Sequence, residues 1–373
     1  VEGMIGNGYS RELAERIYEQ LRGFGSYGFP ESHSASFALI AYASCWLKRH
    51  HADVFAASLI NSQPMGFYSV EQIVRDAREH GVEVRPICVA RSHWDCTLEP
   101  GNRPGRMAVR LGLRLIKGLK AQDMAQLIGV RGEAAFRSIS DIWRRVGTPV
   151  AQLELLAKAN AFALAFGKDS RGAKAQIKIL SGKPLPLFDE TEIAEPELEL
   201  KRLTDGQKVV LDYQTFGLSL DQHPIAFLRP DYAQRGIITC RDALKLPNGR
   251  HVTVVGKVQT RQMPSAANGV IFMSIDDESS DLNLIIWEKV GQACRDAVFY
   301  GGLLVISGTI QREGEVVHLI ARMVTDITRD LEKIAQRDST ASLTLEGTGG
   351  SGLEGGHVFN TRPAIQINSR DFR

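Results

Sequence analysis

The chain has 373 residues, of which 43% are hydrophobic and 24% are charged. This composition is typical of a soluble globular protein, and the length predicts two or three domains. The chain has 45 lysines and arginines and 43 acidic residues, so the formal net charge is only +2. Whole-chain charge therefore identifies no partner, and local charge has to do so.

Cysteine usage argues against a disulfide framework and a zinc knuckle. The five cysteines, an odd number, contain no C-x-x-C pair, and the closest two are Cys88 and Cys96. We therefore expect a reducing cytoplasm. No signal peptide is visible, and the most apolar stretch, Phe37–Leu47, is far shorter than the roughly 20 residues of a membrane-spanning helix, so no membrane partner is expected. A start at Val1, within a helical pattern, indicates a fragment of a longer protein.

Hydrophobic residues at helical spacing predict that residues 1–85 are helical. Ser69, for example, is a candidate N-cap for a helix that ends at Gly81. Residues 86–168 begin with extended pieces, including a hairpin around the Gly101–Gly105 loop, and continue as helices.

Three further segments are separated by composition. Residues 169–205 begin with a run of lysines and arginines without acidic residues and continue with a block of acidic residues. This charge pattern predicts a charged linker. Residues 206–250 are predicted to be a connecting helical segment. Residues 331–373 are rich in glycine and serine at their centre, which predicts a flexible tail.

Residues 251–330 change from helical spacing to alternation, which predicts strands. The five predicted strands are His251–Arg261, Val270–Asp276, Leu282–Trp287, Leu303–Gln311 and Val316–Met323. A predicted helix, Glu288–Phe299, separates the third strand from the fourth. This order is the outline of an OB-fold barrel, with another small antiparallel sheet as the alternative. The predicted fold is thus multidomain, a mainly α-helical region followed by a C-terminal all-β barrel.

A basic segment between Glu99 and Asp123 is the clearest candidate DNA-binding site. Its six cations, with no acid between them, are Arg103, Arg106, Arg110, Arg114, Lys117 and Lys120. Around Gly118 the pattern is that of a helix-hairpin-helix motif, whose backbone amides contact a DNA phosphate without reading bases. Lys120 stands where a second glycine is usual. The alternative is a solvated basic hairpin without a ligand.

The predicted barrel offers a second candidate site, for single-stranded DNA. Single-strand binding by OB-folds combines cations with aromatic stacking platforms. The candidate cations are Lys257, Arg261, Arg312 and Arg322, and the candidate platforms are Phe272 and Trp287. Because strand facing is not given by one sequence, either aromatic could belong to the core, and we expect this of Trp287.

Catalytic groups are not expected in this chain. No Asp-x-Asp is present, so paired carboxylates for two metal ions have no local candidate. The adjacent Asp276 and Asp277 would point to opposite faces of a strand. We therefore predict no catalytic residue, no metal ligand and no cofactor here. Ser32, His33 and Lys48 surround an apolar helix whose start suits a phosphate, but from physical chemistry alone capping by serine, a hydrogen-bonded histidine and a solvated basic helix end explain them better.

Longer runs resemble a known family. Residues 25–39 resemble the fingers region of the bacterial DNA polymerase III alpha subunit, a C-family DNA polymerase. Phe29–His33, Asn61–Tyr68 and Gly81–Pro86 are more similar to the error-prone, damage-inducible branch of that family, as is the ending Ser369–Arg373. The resemblance covers residues 1 to about 330 in order.

The resemblance implies the C-terminal part of an error-prone DNA polymerase active in translesion synthesis and DNA repair. In this family, magnesium and three catalytic aspartates belong to a palm domain that would lie upstream of this chain. Residues 1–85 would end the fingers, with Ser32, His33 and Lys48 near the incoming nucleoside triphosphate and template. The implied partners are primer-template DNA, single-stranded DNA and damage-response accessory proteins.

The resemblance also points to the place of a sliding-clamp peptide. Leu185, Leu187 and Phe188 lie where the replicative relative carries that peptide, but the expected upstream glutamine is missing. A weak clamp site and a plain linker are equally compatible with this segment. A rival to the whole interpretation is a non-catalytic adaptor that binds single- and double-stranded DNA and has no enzymatic ancestry.

Overall fold

The computed structural model describes residues 1–24, 31–66, 68–180, 203–338, 365 and 370–372. The chain begins with α1 (Glu2–Gly6), α2 (Arg11–Phe24), α3 (Glu31–His50), α4 (Ala52–Asn61) and α5 (Val70–Glu79). The predicted cap of α5 is confirmed: the Ser69 hydroxyl accepts the Gln72 amide at 3.2 Å, and the Gln72 side chain accepts the Ser69 amide. This reciprocal pair satisfies two backbone donors that a helix start leaves free.

A small sheet follows the helices. Its strands are β1 (Glu83–Arg85), β2 (Thr97–Pro100) and β3 (Met107–Arg110), in the order β1-β3-β2. The predicted hairpin is confirmed, since β2 and β3 are antiparallel. The helices that come next are α6 (Ala121–Glu133), α7 (Ile139–Val146), α8 (Val150–Lys158), α9 (Ala163–Phe166) and α10 (Ser170–Ile179).

One hydrophobic core runs through α4, α5, the small sheet and the helices after it. It extends from Ala56 to Ile177 and includes Leu113 and Leu156. The boundary predicted at residue 85 therefore does not separate two packed bodies. Hydrophobic spacing locates elements along a chain, but it does not reveal which of them share a core.

The barrel has the strand pattern that the sequence predicts. Its elements are β4 (His251–Gln262), β5 (Ile271–Asp276), β6 (Asp281–Ile286), α14 (Glu288–Ala293), α15 (Arg295–Tyr300), β7 (Leu303–Glu313) and β8 (Val316–Asp326). Pairing runs β4–β5–β6–β8–β7 and back to β4, which closes the ring, and only β6 and β8 are parallel. The OB-fold prediction is confirmed.

The connecting segment contains α11 (Asp205–Thr215), α12 (Arg229–Gln234) and α13 (Cys240–Lys245). After the barrel, a 3-10 helix, Thr328–Gln336, packs on α11 so closely that a Cβ at Gly206 would lie 1.8 Å from the Ile334 carbonyl oxygen. A short β9 (Arg370–Phe372) pairs in parallel with β4. The predicted flexible tail is therefore wrong for both stretches. In the described residues, no helix is both long and apolar enough to cross a membrane.

A buried charge cluster joins α5 to the barrel; it consists of Glu71, Arg75, Tyr213, His223, Lys257 and Asp276. Lys257 and Asp276 are opposite each other on β4 and β5, and their side chains are only 4% and 1% exposed. The Lys257 ammonium lies 2.5 Å from a Glu71 carboxylate oxygen and 3.7 Å from Asp276. Arg75 bonds the same Asp276 oxygen at 2.9 Å. Arg75 also pairs with Asp281, which is 56% exposed, so the two cations contact three acids at this interface.

The protonation states in the cluster follow from this arrangement. Burial alone would raise the pKa of Asp276, but Lys257, His223 and Arg75 together hold it well below its usual value. Burial and the neighbouring Glu71 carboxylate raise the pKa of Tyr213, which donates its hydroxyl hydrogen to Glu71. Asp276 is therefore ionised and Tyr213 neutral. Removing one member of such a set leaves a buried charge unpaired.

We expect Lys257→Met to lower the free energy of unfolding by about 3–5 kcal/mol, because Glu71 and Asp276 would stay buried without their ammonium partner. Urea unfolding measures the change. The matched control is Lys333→Met: Lys333 is 58% exposed and, among the described residues, forms its ion pair with Asp330 three residues away, so its loss should cost about 0–1 kcal/mol. Equal effects of the two replacements would contradict the role given to the cluster.

Asp212 on α11 is a half-buried acid with a displaced pKa. Burial raises the pKa of its carboxyl to about 7, although the Ser219 hydroxyl donates to it at 2.7 Å. The unfolded chain loses this proton near pH 4, whereas the folded chain keeps it until about pH 7. Across this window the folded state binds more protons, so the free energy of unfolding falls as pH rises.

We expect Asp212→Asn to remove this component, which amounts to at most about 1.4 kcal/mol per pH unit between pH 4 and 7. Thermal or urea unfolding at several pH values measures it. Asp296→Asn, which changes an exposed acid on α15, is the control and should keep the parent pH profile. A parent slope that survives Asp212→Asn would show that another group is responsible.

Candidate nucleic-acid interface

The hairpin of the predicted helix-hairpin-helix motif, around Gly118, lies between a 3-10 turn, Leu113–Leu115, and the start of α6. Gly118 has φ +86°, in the left-handed region that favours glycine, and this lets the chain reverse before the helix. Lys120 precedes α6 without a side-chain cap. The side chains of Lys117 and Lys120 are exposed on either side of Gly118. We call residues 117–120 the basic hairpin.

The backbone of the basic hairpin is held by the elements beneath it. The Lys120 amide donates to the buried Gln152 side chain at 2.8 Å, and Gln152 donates back to the Gly118 carbonyl at 3.4 Å. The Lys117 amide donates to the Thr215 carbonyl at 3.0 Å. In the described part of the chain, the Gly118 amide has no acceptor. The hairpin therefore offers two ammonium groups and one free amide rather than a full ring of amides.

Two of the predicted phosphate contacts are wrong. Arg110 is 3% exposed; it donates two hydrogen bonds to Glu99, at 3.0 and 2.8 Å, and one to the Pro86 carbonyl at 2.7 Å. Hydrogen bonding to Arg110 lowers the pKa of Glu99 to about 2. Arg114 is similarly occupied by Asp95 at 2.8 Å and by two carbonyl groups. Strand pairing brings these acids, which precede the basic segment in sequence, against its cations.

The two remaining cations of the basic segment, Arg103 and Arg106, are exposed in the turn between β2 and β3. Among the described residues neither forms an ion pair. Arg106 is thus available to an anion, although β3 separates it from the basic hairpin.

Further helix-turn-helix units follow the basic hairpin. α7 ends at Gly147, with φ +71°, and α8 begins directly after Pro149. α9 ends at Gly167, with φ +67°, and Asp169 caps α10 by accepting the Gly172 amide at 2.8 Å.

Three predicted cations of the barrel are also occupied inside the protein. Lys257 belongs to the buried charge cluster. Arg261 is 7% exposed and donates to the carbonyls of Val298 and Gly301 at the end of α15, the first at 2.6 Å. Arg312 donates to carbonyls at the end of α13. Helix C-termini present unsatisfied carbonyls that attract guanidinium groups. These three predictions are therefore wrong.

The barrel nevertheless presents an aromatic face. Phe272 on β5 is 39% exposed and pairs with Ile285 on β6, which in turn pairs with Ile320 on β8. Trp287 continues the outward alternation of β6 and is 55% exposed, so the expectation that it belongs to the core is wrong. We call Phe272, Ile285, Trp287 and Ile320 the aromatic face. It covers the second and third strands of the barrel, where OB-folds bind oligonucleotides.

The residues predicted near the nucleotide and in the clamp peptide lie partly outside the described structure. Ser32 and His33 begin α3, and their side chains lie outside the described part of the structure. The Lys48 ammonium bonds Asp76 at 2.7 Å, so its predicted place near a nucleotide stays a prediction. Leu185, Leu187 and Phe188 lie outside the described residues.

One group of side chains has ligand types for a metal ion: oxygen or nitrogen atoms of Glu71, His223 and Asp276 lie within 4.8 Å of one another. Lys257 and Arg75 already contact these carboxylates. His223 accepts the Ile225 amide on Nδ1 at 3.2 Å, so its proton is on Nε2, the atom that faces Asp276. This group therefore does not fit a magnesium ion.

Comparisons with known proteins agree with this geometry. The helix-hairpin-helix motif family matches residues 81–173, and the family of OB-fold nucleic acid binding domains matches residues 252–327. An error-prone DNA polymerase 2 of Rhizobium meliloti is 51% identical over 347 residues, which cover 91% of this chain and 32% of the relative. An error-prone DNA polymerase 1 of Agrobacterium fabrum is 48% identical over 357 residues, covering 92% of this chain and 33% of the relative.

The chain thus spans about a third of the length of these relatives. Over that third, it is a homologue of the error-prone DNA polymerases, with a helix-hairpin-helix region followed by an OB-fold.

Proposed function

We propose that this chain is the C-terminal, DNA-binding part of an error-prone DNA polymerase. The observation that carries the proposal is the presence of both nucleic-acid-binding folds in one chain that is about half identical to such polymerases. The helix-hairpin-helix region binds the primer-template duplex, and the barrel binds the single-stranded template.

Duplex binding takes place at the basic hairpin. Lys117 and Lys120 neutralise phosphates, and the free Gly118 amide donates to one of them. Contacts of this kind carry no base information and release counterions, so affinity falls as salt concentration rises. A polymerase that moves along any template needs this independence of sequence.

Single-strand binding takes place at the aromatic face. Each base has a π-face that stacks on Phe272 or Trp287 whatever its identity, and a stack of this kind is worth about 1–3 kcal/mol per base. Arg322, exposed on β8, supplies a nearby positive charge for the backbone. The face therefore suits an undamaged or a damaged template strand.

In the intact enzyme, catalysis is proposed to be the magnesium-assisted attack of a primer 3′-hydroxyl on a nucleoside triphosphate. This chain has no Asp-x-Asp, so it alone should bind primer-template DNA and incorporate nothing. The same proposal includes synthesis across damaged template by the intact enzyme. It also includes a weak contact with the sliding clamp through Leu187 and Phe188, and recruitment by damage-response proteins in the cytoplasm.

A free-standing adaptor without enzymatic ancestry is the rival function. About 50% identity to DNA polymerases over nine-tenths of the chain favours the polymerase. Primer extension by the intact open reading frame separates the two, since only a polymerase elongates the primer.

We expect the double replacement of Lys117 and Lys120 by Gln to reduce the slope of log affinity against log salt by about 1.8 for duplex DNA, or about 0.9 per lost phosphate contact. Fluorescence anisotropy at several salt concentrations measures the slope. Arg110→Gln is the control: it should leave the slope unchanged and lower the free energy of unfolding, since Arg110 is buried against Glu99. An unchanged slope in the lysine variant would exclude the hairpin as a phosphate site.

We expect Phe272→Ala and Trp287→Ala each to weaken binding of single-stranded DNA by about 1–3 kcal/mol and to leave duplex binding unchanged, because only unstacked bases reach the aromatic face. Titration with an oligothymidine measures both affinities. Tyr300→Ala removes a more exposed aromatic, 78% exposed at the end of α15 and outside the face, and should have no effect. If Tyr300→Ala weakens binding as much as Trp287→Ala, the face is misplaced.

A further inference from the structure

We propose that Arg78, Arg103 and Arg106 form a second phosphate-binding site, separate from the basic hairpin, that takes a backbone phosphate of duplex DNA. The three arginines line one cavity of about 390 Å³ between the end of α5 and the turn that joins β2 to β3. The proposal rests on the proposed function in one respect, that DNA supplies the phosphate.

The turn that carries two of these arginines is ordered by its own hydrogen bonds. The Arg106 amide donates to the Arg103 carbonyl at 3.1 Å, and the Gly101 amide donates to the Arg106 carbonyl at 2.9 Å. Asn102 donates through its amide and its side chain to Glu83 on β1, at 2.9 and 3.1 Å. Because the turn is fixed before any ligand arrives, little entropy is lost when an anion binds there.

The third arginine comes from another element and is fixed as well. Arg78 lies in the last turn of α5 and donates to the Leu220 carbonyl at 2.7 Å. The Arg103 guanidinium lies over the glycine that follows α5, with Nη1 3.6 Å from the position a Cβ of Gly81 would occupy. Cations from a helix and a turn therefore face one cavity.

These charges are not neutralised by the protein. The one acid that lines the cavity, Glu83, bonds Arg85 at 2.8 Å, and this contact lowers the pKa of its carboxyl. In the described residues, Arg78, Arg103 and Arg106 form no ion pair with a carboxylate. The C-terminal end of α5 carries a partial negative charge of roughly 0.5, which offsets only a part of three positive charges. The rest of the positive charge is available to an anion.

The cavity and the basic hairpin are built from different parts of the chain. β3 and residues 111–116 lie between Arg106 and Lys117, and the four residues of β3 alone extend about 13 Å. Each site therefore adds its own contact to the count of phosphates that the chain neutralises. The salt dependence of binding reports this count.

The experiment compares duplex binding by this chain and by its Arg103→Gln, Arg106→Gln double variant at several salt concentrations. The expected result is a slope smaller by about 0.9 for each lost phosphate contact, with unchanged thermal unfolding because both side chains are exposed. Arg295→Gln with Arg329→Gln removes two exposed arginines outside the cavity and is the matched control. Arg78→Gln tests the helix side separately and should also reduce the slope.

Two results would overturn the proposal. If the cavity variant keeps the parent slope while the Lys117, Lys120 variant loses part of it, the cavity is not a DNA site and the proposed function stands; if neither variant changes the slope, both fail. Inorganic tripolyphosphate tests the other source of the same chemistry. Calorimetric binding of tripolyphosphate that the cavity variant abolishes, with an unchanged duplex slope, would assign the cavity to a free polyphosphate instead of DNA.

Discussion

The ion pairs of Lys257 with Glu71 and Asp276 determine where the barrel lies. Lys257 and Asp276 are on the outer surface of the barrel, yet both are almost fully buried, because α5 and α11 cover them. A surface that buries charges is stable only against a partner with matching charges at fixed positions. The barrel therefore has a specific place beside the helical region, and the aromatic face has a fixed relation to the basic hairpin.

The barrel was predictable because alternation is a local signal. All five predicted strands are present within a few residues of their predicted bounds, as is the helical stretch between the third and fourth, which forms α14 and α15. The shared core on both sides of residue 85 was not predictable, since it depends on contacts between distant elements such as α4 and β3. Local periodicity gives elements, and tertiary packing decides which of them form one body.

The candidate site was predicted less well, for a physical reason. A run of cations without intervening acids was taken to be free, but Arg110 pairs with Glu99 across the hairpin of β2 and β3. The barrel arginines Arg261 and Arg312 are likewise not free, because they donate hydrogen bonds to backbone carbonyls at helix ends. Trp287 was predicted to be buried but is exposed. The outward alternation of Asn283 and Ile285 before it already indicated an outward position for Trp287.

The cations of the basic segment that remain exposed share one structural property: they lie in turns or at helix ends, where a side chain has few neighbours. Lys117 and Lys120 flank the Gly118 turn, and Arg103 and Arg106 belong to the turn between β2 and β3. Arg110 and Arg261, which lie within strands, are instead buried and become part of the fold, whereas Arg322 on β8 stays exposed. The two pairs of cations in turns lie on either side of the segment that contains β3. Spaced contacts to phosphates bind a duplex without selecting its sequence, which is what the proposed function requires.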